Sequence, residues 1–327
     1  MAVRTDFQVR AAASMDQRQI ANLIHFESHV HRHLDWRSPL DWIGVPPYLV
    51  VEQVAPFVPP WPGRQDRRTT VASAKRSCGR RCETATNAPH GRVAAALACP
   101  PDPPDNECSA QVAWIRLFVN SDRLPLQEAW EMLWEAAQTE LNRNGRPRVA
   151  VIALKDWLPG LLKGSGFDLR QQIVMLERRD GMPVPETCQP GTKIRQMTMR
   201  DLLLAAALDA AAFDPLWHNS LPALNRAYQQ AMLATVAESA QGLVGYQIST
   251  QNPYGAHLAR LAVRPEAQGQ GVGRALVGDL LQGLARRGAS RLTVNTQADN
   301  FPSLALYKRL GFVETGERYP VFEFQVQ

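Results

Sequence analysis

The chain has 327 residues, with 36 Lys and Arg against 31 Asp and Glu, and 45% of its residues are hydrophobic. That length fits two domains of ordinary size, each with its own core, and excludes disorder of the chain as a whole. The net charge of +5 invites a polyanion as partner until it is located: residues 61–90 hold seven basic and two acidic residues, and the rest holds 29 of each.

No apolar run reaches the ~20 residues needed to cross a bilayer; the richest, Leu202 to Phe213, is interrupted by Asp209. The N-terminus, with Arg4, Asp6, Arg10 and Asp16, lacks the continuous apolar centre of a signal peptide. A cytoplasmic protein with no membrane partner is expected. Five cysteines are an odd number and do not read as a disulfide framework. Cys78, Cys82, Cys99 and Cys108 lack the ligand spacing of the common zinc ribbons, so no metal is expected.

In chain order, Phe7 to Arg10 reads as a strand followed by a helix with Asp near its start. His25, His29, His31 and His33 follow, with Glu27 and Asp35. A polar helix end leading into the Asp35–Trp36 turn is the simplest reading; contact with a substrate or a second domain is the alternative, and His25 and His29 also have a metal-ligand spacing. Residues from about 54 to 91 carry the charge excess and a Pro-rich entry, and after Phe57 and Trp61 they lack apolar periodicity, the pattern of a disordered loop. An arginine arm for nucleic acid is disfavoured, because no aromatic residues interleave the arginines to stack bases. An error in the gene model would give the same pattern.

Val112 to Asn120 reads as an apolar strand, and Gln127 to Asn142 as a helix with Trp130, Leu133, Trp134, Ala137 and Leu141 on one face. Arg148 to Leu154 is a strand. Asp180 to Thr192, with three prolines and two glycines, reads as a linker. Beyond it, Lys193 to Arg195 opens as Phe7 to Arg10 does. Leu243 to Thr250 and Ala256 to Val263 are strand patterns, Ala275 to Arg287 an amphipathic helix, Arg291 to Asn295 a buried strand, and Pro302 to Leu310 a second helix. Phe312 to Thr315 and Tyr319 to Val326 read as a closing antiparallel hairpin.

The two halves echo one another. Leu161 to Phe167 repeats the pattern of Leu306 to Phe312, and the span from Arg10 to Phe167 exceeds that from Arg195 to Phe312 by about the length of the odd basic segment. A tandem repeat with one insertion follows: residues 1–180, a linker at 181–192, and residues 193–327, each half a mixed α/β sheet with helices.

The strongest chemical signal is Gln268-Gly269-Gln270-Gly271-Val272-Gly273-Arg274, between an apolar strand and an amphipathic helix. Glycines let successive amides converge on an anion, and the helix start adds unpaired amides and the positive dipole end, a combination suited to a pyrophosphate. The P-loop and dinucleotide fingerprints both fail here.

With Gln268, Gly271 and Gly273, followed by Asn295 to Asn300, Ser303, Tyr307 and Gly311-Phe312, residues 193–327 resemble the GNAT superfamily of N-acetyltransferases. The resemblance implies two tandem copies of a mostly antiparallel sheet flanked by helices. It also implies direct transfer of an acetyl group from acetyl-CoA, as co-substrate, to a primary amine of a small molecule or peptide. On that likeness, Leu261, Ala262 and Val263 pair with the pantetheine arm, and the Val263 amide holds the thioester oxygen. Gln268 to Arg274 wrap the pyrophosphate, while Asn300 and Ser303 belong to the second cofactor motif, Asn300 contacting the cofactor or holding the loop. Tyr307 is the acid for the departing thiolate, and His257 stands where some members keep a glutamate base, with Glu238 as the fallback. The N-terminal half departs from the pattern: Asn120 to Leu126 has no glycine and contains Pro125, and Leu162 stands in the place of Tyr307, so a catalytically silent first copy is expected. Acylation of a small amino thiol, as in the family's mycothiol-synthase-like members, and a non-catalytic acyl-CoA sensor remain as alternatives.

Overall fold

The computed structural model describes residues 6–54, 91–102, 112–143, 145–179, 191–289 and 291–326. Cys78, Cys82, Cys108 and Cys188, the linker residues 180–190 and most of the basic segment lie outside the described residues. Cys99 is buried among apolar side chains.

The first copy runs β1 (Asp6–Ala11), α1 (Gln17–Phe26), β2 (His29–Arg32), β3 (Tyr48–Val54), β4 (Arg92–Ala98), β5 (Val112–Trp114), β6 (Leu117–Asn120), α2 (Leu126–Arg143), β7 (Arg148–Ile152), α3 (Leu158–Gly164) and β8 (Asp168–Arg179). The second runs β9 (Lys193–Gln196), α4 (Leu202–Ala212), α5 (Leu221–Gln229), β10 (Leu233–Ser239), β11 (Gly242–Asn252), β12 (Gly255–Val263), α6 (Val272–Ala285), β13 (Arg291–Gln297), α7 (Phe301–Arg309) and β14 (Val313–Gln325). The basic segment connects β3 and β4, which pair antiparallel; in the second copy the equivalent strands β10 and β11 are joined by residues 240–241 alone.

A repeated ion cluster ties the opening of each copy together. Arg10 bonds Asp16 at 2.7 Å and Glu52 at 2.6 Å, and Arg195 bonds Asp201 at 2.8 Å and Glu238 at 2.8 Å. In both copies the aspartate also caps the helix entry, accepting the amide of Ala13 or Thr198 at 2.8 Å. The guanidinium of Arg195 holds the Asp201 carboxyl down at about 2.

The described strands form one five-stranded sheet, β1-β3-β4-β6-β2, and one nine-stranded sheet, β5-β7-β14-β8-β13-β12-β11-β10-β9. The larger sheet contains an exchange. β14, the last strand of the second copy, pairs with β7 of the first, and β8, the last of the first copy, pairs with β13 of the second. The cores follow the strands: Phe322 and Val326 pack with Trp130 and Leu162, while Val174 and Leu176 pack with Leu280 and Tyr307. At roughly 1.5–3 kcal/mol for each large apolar side chain buried, these exchanged side chains carry a substantial share of each core.

Three expectations change. The segment from Val313 to Gln325 is one long irregular strand rather than a hairpin, because β7 and β8 supply its partners. Val112 to Asn120 breaks into β5 and β6 around Ile115 and Arg116, since β5 pairs with β7 and β6 with β4. The histidine cluster is divided: His25 lies in the last turn of α1, the expected helix end, while His29–Arg32 form the edge strand β2.

Candidate active site

The antiparallel pairing of β11 and β12 fixes which backbone groups of β12 are free. The Arg264 amide bonds the Val244 carbonyl at 2.9 Å, so Arg264/Val244 is a hydrogen-bonded pair. Bonded and non-bonded pairs alternate along an antiparallel ladder, so Val263 and Leu261, opposite Gly245 and Gln247, turn their amides away from β11. On that side β12 pairs with β13 only from Ala256 to Leu258. Among the described residues the edge from Ala259 to Val263 has no strand partner. Ala262, by contrast, turns its backbone toward β11, and its side chain is buried in the core beneath α4.

The glycine turn continues this edge. Gly269 and Gly271 have φ of 73° and 88°, values that side-chain-bearing residues avoid, and Gly271 is the N-cap of α6 with no side chain closing the cap. A Cβ on Gly273 would lie 3.3 Å from Leu306, so this position also keeps α6 and α7 close. Val272 is buried and anchors the turn to the core. Gln268 and Gln270 fold back onto the turn, donating to the carbonyls of Val263 at 3.1 Å and Glu266 at 2.8 Å. Arg274 is exposed. Asn300 accepts the Ser303 amide at 3.2 Å and so caps α7, which holds the loop in front of the helix that carries Tyr307.

His257, Leu261, Asn300, Ser303 and Tyr307 line one cavity of about 760 Å³. His257 lies opposite Thr293 in the parallel β12/β13 register, and its Nδ1 is 2.9 Å from Thr293 Oγ1. The Thr293 hydroxyl also reaches the Ala256 carbonyl at 3.3 Å, and when it donates there its oxygen can accept Nδ1–H, the tautomer that puts the lone pair of His257 on Nε2. Burial lowers the His257 pKa below 6.5, opposed by a hydrogen bond with Asn295. Burial holds the Tyr307 phenol well above its ordinary range, and among the described residues its hydroxyl has no hydrogen-bond partner. Glu238 is tied to Arg195 and is not part of this cavity, which removes it as a base.

The cavity also draws on the first copy: His33, Asp35, Trp36, Arg37, Trp42, Trp114 and Arg116 line it beside Phe213, Trp217, Arg226 and Arg260 of the second. The histidine cluster is thereby resolved. His31 is buried, its Nε2 3.1 Å from the Ile115 carbonyl, and His33 stacks on Trp114 at 4.6 Å, while His25 is exposed. Trp114 in turn meets Trp217 at 5.5 Å, and Gln230 donates to the Trp36 carbonyl at 2.8 Å, so the cavity wall is also the seam between copies. Thr293 and this aromatic wall escaped the sequence reading, and Asn295 was read as the start of a motif without its contact to His257. Their roles depend on strand register and on packing between distant segments, which have no local signature.

Residues 199–312 match the model of the acetyltransferase (GNAT) family. A mycothiol acetyltransferase of Saccharomonospora viridis is 33% identical over 134 residues, covering 35% of this chain and 43% of the relative. The ribosomal protein bS18-alanine N-acetyltransferase of Escherichia coli is 44% identical over 59 residues, covering 18% and 40%. The chain spans about half the length, or less, of the curated relatives it matches. A tandem GNAT protein from the clavulanic acid biosynthesis pathway has the same fold, with a TM-score of 0.58 at 15% identity over 99% of both chains.

Proposed function

Because its second copy belongs to the GNAT acetyltransferase family, we propose that this chain transfers an acetyl group from acetyl-CoA directly to the primary amine of a small acceptor, with a single active site in that copy. The observation that carries the reading is the open edge of β12, which ends in a glycine turn and shares one cavity with His257 and Tyr307.

The outward amides of Leu261 and Val263 suit the amide groups of a pantetheine arm, and the free amides from Gly269 to Arg274 suit its pyrophosphate. The thioester supplies the activated acyl group. His257 takes a proton from the attacking amine on Nε2, with its Nδ1 side fixed by Thr293. The amine nitrogen forms its bond to the acyl carbon as the carbon–sulfur bond breaks. The Val263 amide donates to the oxygen as it gains negative charge, an interaction typically worth about 3 kcal/mol. The buried phenol of Tyr307 keeps its proton at any physiological pH and so stands ready to donate it to the departing sulfur.

The mycothiol acetyltransferase relatives support a small amino-containing acceptor, and the cavity size falls in the range of small-molecule sites. Release of thiol from acetyl-CoA with a panel of amines tests the proposal. Turnover is expected in the full chain, with Tyr307→Phe reducing kcat by about 100-fold. Binding of acetyl-CoA with no turnover on any amine would instead indicate an acyl-CoA sensor, and full activity in Tyr307→Phe would remove the acid.

A further inference from the structure

Most of the charged groups around the cavity are already neutralised. Arg116 lies between Asp35, at 2.8 Å, and Asp102. Arg260 forms a two-pronged pair with the buried Asp209, at 2.7 and 2.6 Å, and lies over the Phe213 ring at 3.6 Å. Two guanidiniums are left over, one from each copy. Arg37 lies over the Trp42 ring at 4.0 Å and donates to the backbone carbonyl of Asp41, contacts that hold the side chain without cancelling its charge. The guanidinium of Arg226, on α5, has no hydrogen bond or ion pair among the described residues, and its Nε is buried without a partner.

These two groups are close enough that Arg226 disfavours the charged form of Arg37, adding to the effect of burial. Asp35 and Asp41 oppose this, but the Asp35 carboxylate already serves Arg116. Two half-buried guanidiniums facing one cavity repel each other unless an anion sits between them, and an oxyanion with several acceptor atoms is what their forked donors match.

We propose that the acceptor amine carries an anionic oxygen group, carboxylate or phosphate, and that Arg37 of the first copy and Arg226 of the second bind it within the cavity that holds His257 and Tyr307. The proposal rests on the acyl-transfer reading for its choice of ligand, and it gives the silent copy a direct part in specificity. The anion is the handle that orients the amine and takes no part in the chemistry.

Matched acceptor pairs test it: amino acids against their amides, and amino sugars against their 6-phosphates. The anionic member of one pair is expected to show at least a tenfold higher kcat/KM, and which pair responds separates carboxylate from phosphate. R226Q and R37Q should each raise KM for the anionic acceptor about tenfold while leaving kcat, and turnover of neutral acceptors, within twofold; R226K should recover part of the loss. Equal turnover of the paired acceptors, or equal loss for both in R226Q, would overturn the proposal. Binding provides a readout independent of turnover. Inorganic phosphate or succinate should raise the thermal midpoint of the wild-type chain but not of the R37Q/R226Q variant. Anion binding without acetylation of any amine would reject acyl transfer and leave the anion site standing; turnover of neutral amines with no anion effect in either assay would do the reverse.

Discussion

The same strand edge has opposite fates in the two copies. In the second copy the outer edge of β12 from Ala259 to Val263 is open, and a glycine turn extends it. In the first, the equivalent strand β6 is covered by β2, which pairs His29 with Asn120 and His31 with Phe118. The Ser121 amide bonds the Ala94 carbonyl at 2.8 Å just as that of Arg264 bonds Val244, so Asn120 occupies the place of Val263. The first copy has therefore lost more than its turn. Its own chain occupies the groove where a pantetheine arm would pair, and the His257–Thr293 pair is replaced by Trp114–Ala150 in the same parallel register. A closed cleft stabilises the fold, and an open one leaves backbone groups for a ligand.

The largest expected effect breaks the pairing of the copies. Because β8 and β14 are exchanged, residues 193–327 expressed alone leave β13 with β12 as its one partner and β14 with neither neighbour. We expect an insoluble or unfolded product by circular dichroism, and recovery of a folded complex when residues 1–186 are co-expressed. A fragment of 193–327 that folds cooperatively by itself would show that the exchange is dispensable.

The closed edge should come apart in acid. Burial lowers the His31 pKa from 6.5 to about 4, opposed only partly by its bond with Ile115. A histidine that is harder to protonate when folded contributes fully above the unfolded value, and its contribution is lost as pH falls from about 6.5 toward 4. The loss is of order 3 kcal/mol at 1.36 kcal/mol per unit. Urea unfolding at pH 7 and pH 4.5 measures it, with His31→Gln as the control that keeps a side-chain amide but does not titrate. An identical loss in wild type and variant would assign the acid sensitivity elsewhere.

At the open edge the corresponding titration belongs, in the proposed reaction, to His257. His257 is held below 6.5, so it remains a neutral base at pH 7, and kcat/KM should fall only on the acid side of that value. His257→Gln is expected to remove this acid limb and lower turnover at pH 7 by about 10- to 100-fold. A limb unchanged in the variant would rule out His257 as the base.

How far this contrast can be read in the sequence follows from how local each cause is. Gly269, Gly271 and the capping Asn300 act within a few residues, so the turn and the helix carrying Tyr307 were legible from spacing and type. The repeat was legible too, since Arg10 and Asp16 recur as Arg195 and Asp201. The strand exchange was not. β8 and β13 lie more than a hundred residues apart in the chain, and an apolar strand pattern does not name its partner. Nor was β2, whose histidines look polar although His31 faces the interior and His33, just beyond the strand, faces the cavity.

The smallest expected effect sharpens the comparison where the copies are most alike. Glu52 and Glu238 hold matched arginines, but the Glu52 side chain is 15% exposed and that of Glu238 is 39% exposed. Solvent screens an exposed pair more and also rehydrates the partner when the pair is broken. Glu52→Gln should therefore cost about 1 kcal/mol in denaturant unfolding, because Arg10 is left beside the buried Asp16 with one partner fewer. Glu238→Gln should lower the midpoint by less, since Arg195 keeps Asp201 and gains water. Equal shifts would mean that the two clusters feel the same environment, and that the first copy, despite its closed cleft, holds its opening strand and helix no more tightly than the second copy does.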